Sequence, residues 1–166
     1  MVEVEVRQAP TRMVYAVKHV GPYNRIGGKF AELMQHLGNQ SHRLKAVFAV
    51  FLDNSAKVPK AKLTSYACVW LEGKAKPVAG VEVKTLPGGP VAHAAAKGPY
   101  GGETARDAYH AIYAWVKRDG RYEAMDLGDH TPFEETCREF YPDDPAVTKP
   151  EDLVAEIEVP LRPRAR

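Results

Sequence analysis

The sequence of 166 residues holds only two cysteines, Cys68 and Cys137, with no CxxC pair and no Cys/His arrangement at metal-ligand spacing. Neither a disulfide framework nor a zinc site is indicated, and at this length a single domain can rest on its packed core alone. Charge of one sign is also lacking, since 23 Lys+Arg against 21 Asp+Glu leave a formal net charge of +2. That balance argues against a nucleic-acid groove, and the one basic cluster, Arg162, Arg164 and Arg166 around Pro163, reads as a solvated tail. No direct nucleic-acid partner is expected. Long apolar runs are missing as well, and the opening Met-Val-Glu-Val-Glu-Val has neither the basic start nor the apolar stretch of a signal peptide. The expectation is a cytoplasmic protein with no membrane segment. Ser55 and Ser65 lack a nucleophile-elbow context, Gly27-Gly28 and Gly101-Gly102 lack a full phosphate loop, and the six histidines form no ligand motif. Neither a metal nor a cofactor is expected.

What is present is an internal repeat. At a shift of 77 positions Val4-Glu5-Val6 meets Val81-Glu82-Val83, Pro10 meets Pro87, Val14 meets Val91, and Gly21-Pro22-Tyr23 meets Gly98-Pro99-Tyr100, which makes eight identities in twenty positions. An amphipathic stretch follows each triplet: Phe30, Leu33, Met34 and Leu37 before Gly38, then Tyr109, Ile112, Tyr113 and Val116 before Gly120. At a shift of 90, Asp53 meets Asp143, Leu63 meets Leu153 and Leu71 meets Leu161. Residues 46–52 and 63–71 in one copy, and 136–141 and 153–161 in the other, have the β-branched and aromatic content of strands. The expected fold is α+β: a tandem pseudo-twofold repeat of strand-helix-strand-strand units, about 1–75 and 76–162, within a single domain 1–166. Pairing the units gives one antiparallel sheet with two helices on one face, and a ligand cleft is expected on the other.

Strand parity sorts candidate residues onto that second face. Ala67, Val69 and Leu71 suit packing under a helix, which turns Tyr66, Cys68 and Trp70 the other way. Matching Val50 to Phe140 through the repeat puts Phe140 under the second helix and Cys137, Glu139 and Tyr141, with Phe51, on the far face. The expected ligand-binding residues are Glu139, Tyr141, Trp70, Tyr66, Phe51 and Cys68. A carboxylate among aromatic rings suits a lipophilic cation, because the anion and the ring quadrupoles both attract positive charge. Burial would equally raise its pKa and let it move protons near neutrality. Glu139 replaces Ala49 of the first copy, so the scaffold does not need the acid. The tyrosines of Gly-Pro-Tyr are open between packing under a loop and lining the pocket, the facing of His93 is undecided, and Asp53 and Asp143 read as turn residues.

His-Val-Gly-Pro-Tyr at 19–23, the second Gly-Pro-Tyr at 98–100, Glu-Phe-Tyr-Pro-Asp-Asp-Pro at 139–145 and Glu-Ile-Glu-Val-Pro-Leu at 156–161 together resemble the GyrI-like family over nearly the whole chain. That family includes effector-binding domains of AraC-type and multidrug-sensing MerR-type regulators. The resemblance implies a cleft for bulky aromatic or amphipathic, often cationic, small molecules around a glutamate, with Glu139 and Tyr141 in its Glu-x-Tyr pattern. Two alternatives come with it. One is a cofactor-free hydrolase detoxifying electrophilic, cyclopropanoid-type compounds, in which Glu139 would be the catalytic acid/base; the other is a protein partner such as DNA gyrase. The stretch from Gly120 to Asp143 is eight residues longer than that from Gly38 to Asp53, and whether the extra residues, around 121–135 with Glu134 and Glu135, form a lid over the cleft is left open by the sequence.

Overall fold

A computed structural model describes residues 2–74, 76–126 and 131–165. The chain runs β1 (Glu5–Ala9), β2 (Arg12–Val20), α1 (Gly27–Leu37), β3 (Leu44–Phe51), β4 (Thr64–Leu71), β5 (Glu82–Leu86), β6 (Gly89–Lys97), α2 (Glu103–Asp119), β7 (Tyr122–Ala124), β8 (Arg138–Phe140) and β9 (Val154–Pro163). Each expected first strand is two strands, because Pro10 and Pro87 break the ladder where the chain turns. From Glu5 to Glu82 and from Arg12 to Gly89 the step is 77 residues, so β1 and β2 recur as β5 and β6 at the offset read from the sequence. Both helices stop at glycines with positive φ, Gly38 at 50° and Gly120 at 78°, a conformation that costs glycine little and other residues more.

The fold is mixed α+β, one curled antiparallel sheet with two helices. Its strand order is β1-β6-β9-β8-β3-β4-β2-β5, with β7 added beside β9. Matching β1 with β5, β2 with β6, β3 with β8 and β4 with β9 makes this order read alike from either end. The outer strands are exchanged: β1 pairs with β6 and β5 pairs with β2, so each half is completed by the other. No helix among the described residues is long and apolar enough to cross a membrane.

Register fixes the faces. Val17, Ala67, Ala49, Glu139, Ile157 and Ala94 follow one another across five strand pairings and so share one face. Val17 and Ala67 pack with Leu33 and Leu37 of α1, while Ile157 and Ala94 pack with Ala108, Ile112 and Val116 of α2. Both helices therefore cover this face, with Glu139 midway between them.

The opposite face is concave. Arg12 on β2 donates to both carboxylate oxygens of Glu158 on β9, at 3.0 and 2.9 Å. The two strands are four places apart in the sheet, about 19 Å if it were flat, farther than these side chains can reach together. Curling closes that distance around Val14, Phe48, Val50, Tyr66, Cys68, Leu86, Phe133 and Phe140.

Candidate functional site

The six expected site residues divide between the two faces. Tyr66, Cys68 and Trp70 point away from the helices as expected, but Glu139, Tyr141 and Phe51 do not join them. Val50 pairs with Tyr66 and therefore belongs to the concave face, whereas Ala49 pairs with both Ala67 and Glu139 on the helix face. Phe140 lies not under the second helix but stacked on Phe48 in the concave core, 4.8 Å between centroids. The parity expected for β3 is inverted because that strand, Leu-Lys-Ala-Val-Phe-Ala-Val-Phe, is apolar on both faces from Ala46 onward, and its one polar residue, Lys45, sits at a register shift that breaks the alternation.

The concave face is filled by the chain itself. Arg12 lies 5.1 Å over Trp70 and 4.8 Å over Phe140, Lys45 lies 4.3 Å over Trp70, and Lys84 lies 5.1 Å over Tyr66. The aromatic faces expected to receive a ligand cation already carry cations of the protein. Cys68 is fully buried among them, which pushes its thiol well above the ordinary range. From the long segment after α2, Phe133 packs edge-on against Tyr66 at 5.3 Å. The question of a lid over 121–135 falls partly on residues 127–130, outside the described residues. His93 also faces this side, its Nε2 being 3.2 Å from Glu156; it does not border Glu139.

On the helix face, Glu139 is 5% exposed and accepts one hydrogen bond, from the Tyr141 hydroxyl at 3.1 Å. Among the described residues no basic side chain pairs with it. Burial raises its pKa from 4.5 to about 7, and the Tyr141 bond offsets only part of that. The Tyr141 ring sits between the two halves, 6.1 Å and edge-on to Phe30 of α1, and 4.7 Å from Tyr100. From α2, Tyr109 brings a buried hydroxyl next to Cys137, Glu139 and Tyr141, and that hydroxyl makes no hydrogen bond of ordinary geometry. Phe51 lies on the same face two residues beyond Ala49, its ring 4.8 Å from Tyr23. A cavity of about 280 Å³ opens where β8 ends, where Tyr141 meets the concave-face residues Phe140, Lys45 and Glu156; Glu139 does not line it.

Sequence reasoning left out Tyr109 and Phe30 as members of the two helix stripes, and left the Gly-Pro-Tyr tyrosines undecided. Those tyrosines do both jobs. Tyr23 donates to the carbonyl of Asp53 at 2.6 Å and Tyr100 to that of Asp143 at 3.0 Å, while their rings meet Phe51 and Tyr141. Asp53 and Asp143 each turn a carboxylate oxygen to the first residue of the next strand, accepting from the N–H of Thr64 at 2.7 Å and of Val154 at 2.8 Å. Each loop thus fixes a tyrosine against the aromatic residue at its own start, Phe51 or Tyr141.

Tyr141 thus links the buried carboxylate of Glu139 to Phe30 and Tyr100, with Tyr109 close by. The profile of the GyrI-like small molecule binding domain matches residues 2–162. The chain belongs to the GyrI-like family. Like other members it is a small-molecule-binding domain, similar in fold to effector-binding domains. The EcmrR C-terminal domain superposes with a TM-score of 0.76 at 17% identity, covering 98% of each chain. A hydrolase from Listeria innocua gives 0.71 at 11% identity, covering 96% of this GyrI-like chain and 92% of its own. SAV2435, solved bound to tetraphenylphosphonium, gives 0.59 at 12% identity over 96% and 94%. At these identities the likeness concerns the fold. No curated protein sequence matches the chain.

Proposed function

We propose that this single domain binds bulky aromatic or amphipathic molecules, lipophilic cations above all, in the helix-face groove centred on Glu139. The observation that carries the proposal is the carboxylate itself: buried at the middle of an otherwise apolar row, held by one tyrosine and lacking a cationic partner among the described residues. An isolated buried acid destabilises a fold, so its place is accounted for by a ligand whose charge completes it. The ligand-bound SAV2435 structure supports the same ligand class. Of the six residues expected from the sequence, Glu139, Tyr141 and Phe51 belong to this groove and Tyr66, Cys68 and Trp70 to the core behind it. Tyr23, Phe30, Tyr100 and Tyr109 join the groove. A thermal-shift titration with tetraphenylphosphonium should raise the melting temperature of the wild type and not that of Glu139→Gln. Equal shifts in both proteins would remove Glu139 from the site.

A second reading makes the domain a hydrolase of strained electrophiles. The raised pKa of Glu139, about 7, favours it, because such an acid can both give and take a proton at neutrality. Product released by the wild type and lost in Glu139→Gln would establish it; unchanged turnover in the variant would exclude this assignment. The gyrase-type partner is a separate reading, and failure to inhibit supercoiling would remove it.

A further inference from the structure

The second half of the chain builds something the first does not. α2 runs for 17 residues where α1 has 11, and β7, which lies next to the end of β9, has no counterpart. Between the last turns of α2 and β7 lies a cavity of about 510 Å³, within the size range of small-molecule pockets. Tyr113, Val116, Tyr122 and Ala124 supply its apolar wall, and Lys117 and Arg164 border it.

The charges around this cavity are unevenly committed. On the acidic side, Glu123 is bonded to Arg162 at 2.8 Å, and Asp126 accepts from the Cys137 N–H at 2.8 Å and the Thr131 hydroxyl at 3.1 Å. On the basic side, neither Lys117 nor Arg164 has an acidic partner among the described residues. A backbone bond from the Arg164 N–H to the carbonyl of Arg121 at 2.9 Å fastens the C-terminal segment at the rim, so the position of Arg164 is set by the fold. Two uncommitted cations beside an aromatic wall select an anion with an apolar body.

We propose that this cavity is a second binding site, for amphipathic aromatic anions such as aryl sulfonates and aryl carboxylates, opposite in charge preference to the groove at Glu139. It shares none of its lining with Glu139, Tyr141, Tyr100 or Phe30. The inference does not depend on what the Glu139 groove binds.

Titration with 8-anilinonaphthalene-1-sulfonate, read by its fluorescence, tests the site. The wild type should bind it at least tenfold more tightly than it binds the neutral N-phenyl-1-naphthylamine, which has the same ring body without the sulfonate. The surface double variant Lys117→Gln/Arg164→Gln should lose that preference, Ala124→Trp should block the sulfonate, and Glu151→Gln, an exposed residue that does not line the cavity, should leave the sulfonate affinity unchanged. Equal affinity for the two probes, an undiminished sulfonate affinity in the double variant or in Ala124→Trp, or no sulfonate binding to the wild type would each overturn the proposal.

Discussion

Replacing Glu139 by Gln is expected to stabilise the protein at neutral and alkaline pH, and the structure sets the size of the effect. The carboxyl has a pKa of about 7 when folded against an ordinary 4.5, an increase caused by burial and only partly offset by the Tyr141 hydroxyl. Between these two values the native state holds a proton that the unfolded state has released, so stability falls as pH rises from about 4.5 to about 7 and is level beyond. Over that window the loss is about 3 kcal/mol, at about 1.4 kcal/mol for each pKa unit. Gln mimics the protonated acid and has no such loss. The variant should therefore gain about 3 kcal/mol on the wild type between pH 4.5 and pH 8, or roughly 6–12 °C in melting temperature for a domain of this size. The change in the difference with pH is the quantity to follow, because any constant penalty from the amide N–H2 cancels in it. Urea unfolding of both proteins at several pH values measures it. A difference that stays constant across this range would refute the account of Glu139 as an unpaired buried acid.

Other expectations follow from the same geometry. Tyr141→Phe removes the one donor to Glu139 among the described residues, so the carboxyl pKa rises further and the fall in stability moves to higher pH, visible as a displaced melting-temperature profile. Arg12→Met leaves the partly buried Glu158, 12% exposed, with Arg138 at 3.5 Å as its remaining cation among the described residues, and the cost is on the order of 3 kcal/mol by denaturant unfolding, with no change in the pH window of Glu139. Residues 1–75 expressed alone should show no cooperative unfolding transition, because β2 lacks β5 and β1 lacks β6 in that fragment.

The sequence revealed the parts of the fold that local chemistry dictates. The offset of 77 placed β1 and β2 against β5 and β6, the two glycines marked the helix ends, and Asp53 and Asp143 proved to be the turn residues their neighbours implied. Glu139 stood out because Ala49 occupies the matching place, and the two residues do pair across β3 and β8. The side of the sheet was not legible. Facing in a strand with apolar residues on both sides depends on its register with neighbours distant in sequence, and the same uncertainty hid the curl that brings Arg12 to Glu158. Tyr109 was readable only as one member of an apolar stripe, since nothing local to α2 tells which of its residues will meet β8.

Isothermal titration with tetraphenylphosphonium at pH 6 and pH 8, in buffers of different ionisation enthalpy, tests the central claim most directly. With a carboxyl titrating near 7, cation binding should be about tenfold weaker at pH 6 and release close to one proton there, and release almost none at pH 8. Glu139→Gln should abolish both the proton release and the pH dependence. Binding that is independent of pH, or equally tight in the variant, would contradict a groove built around Glu139.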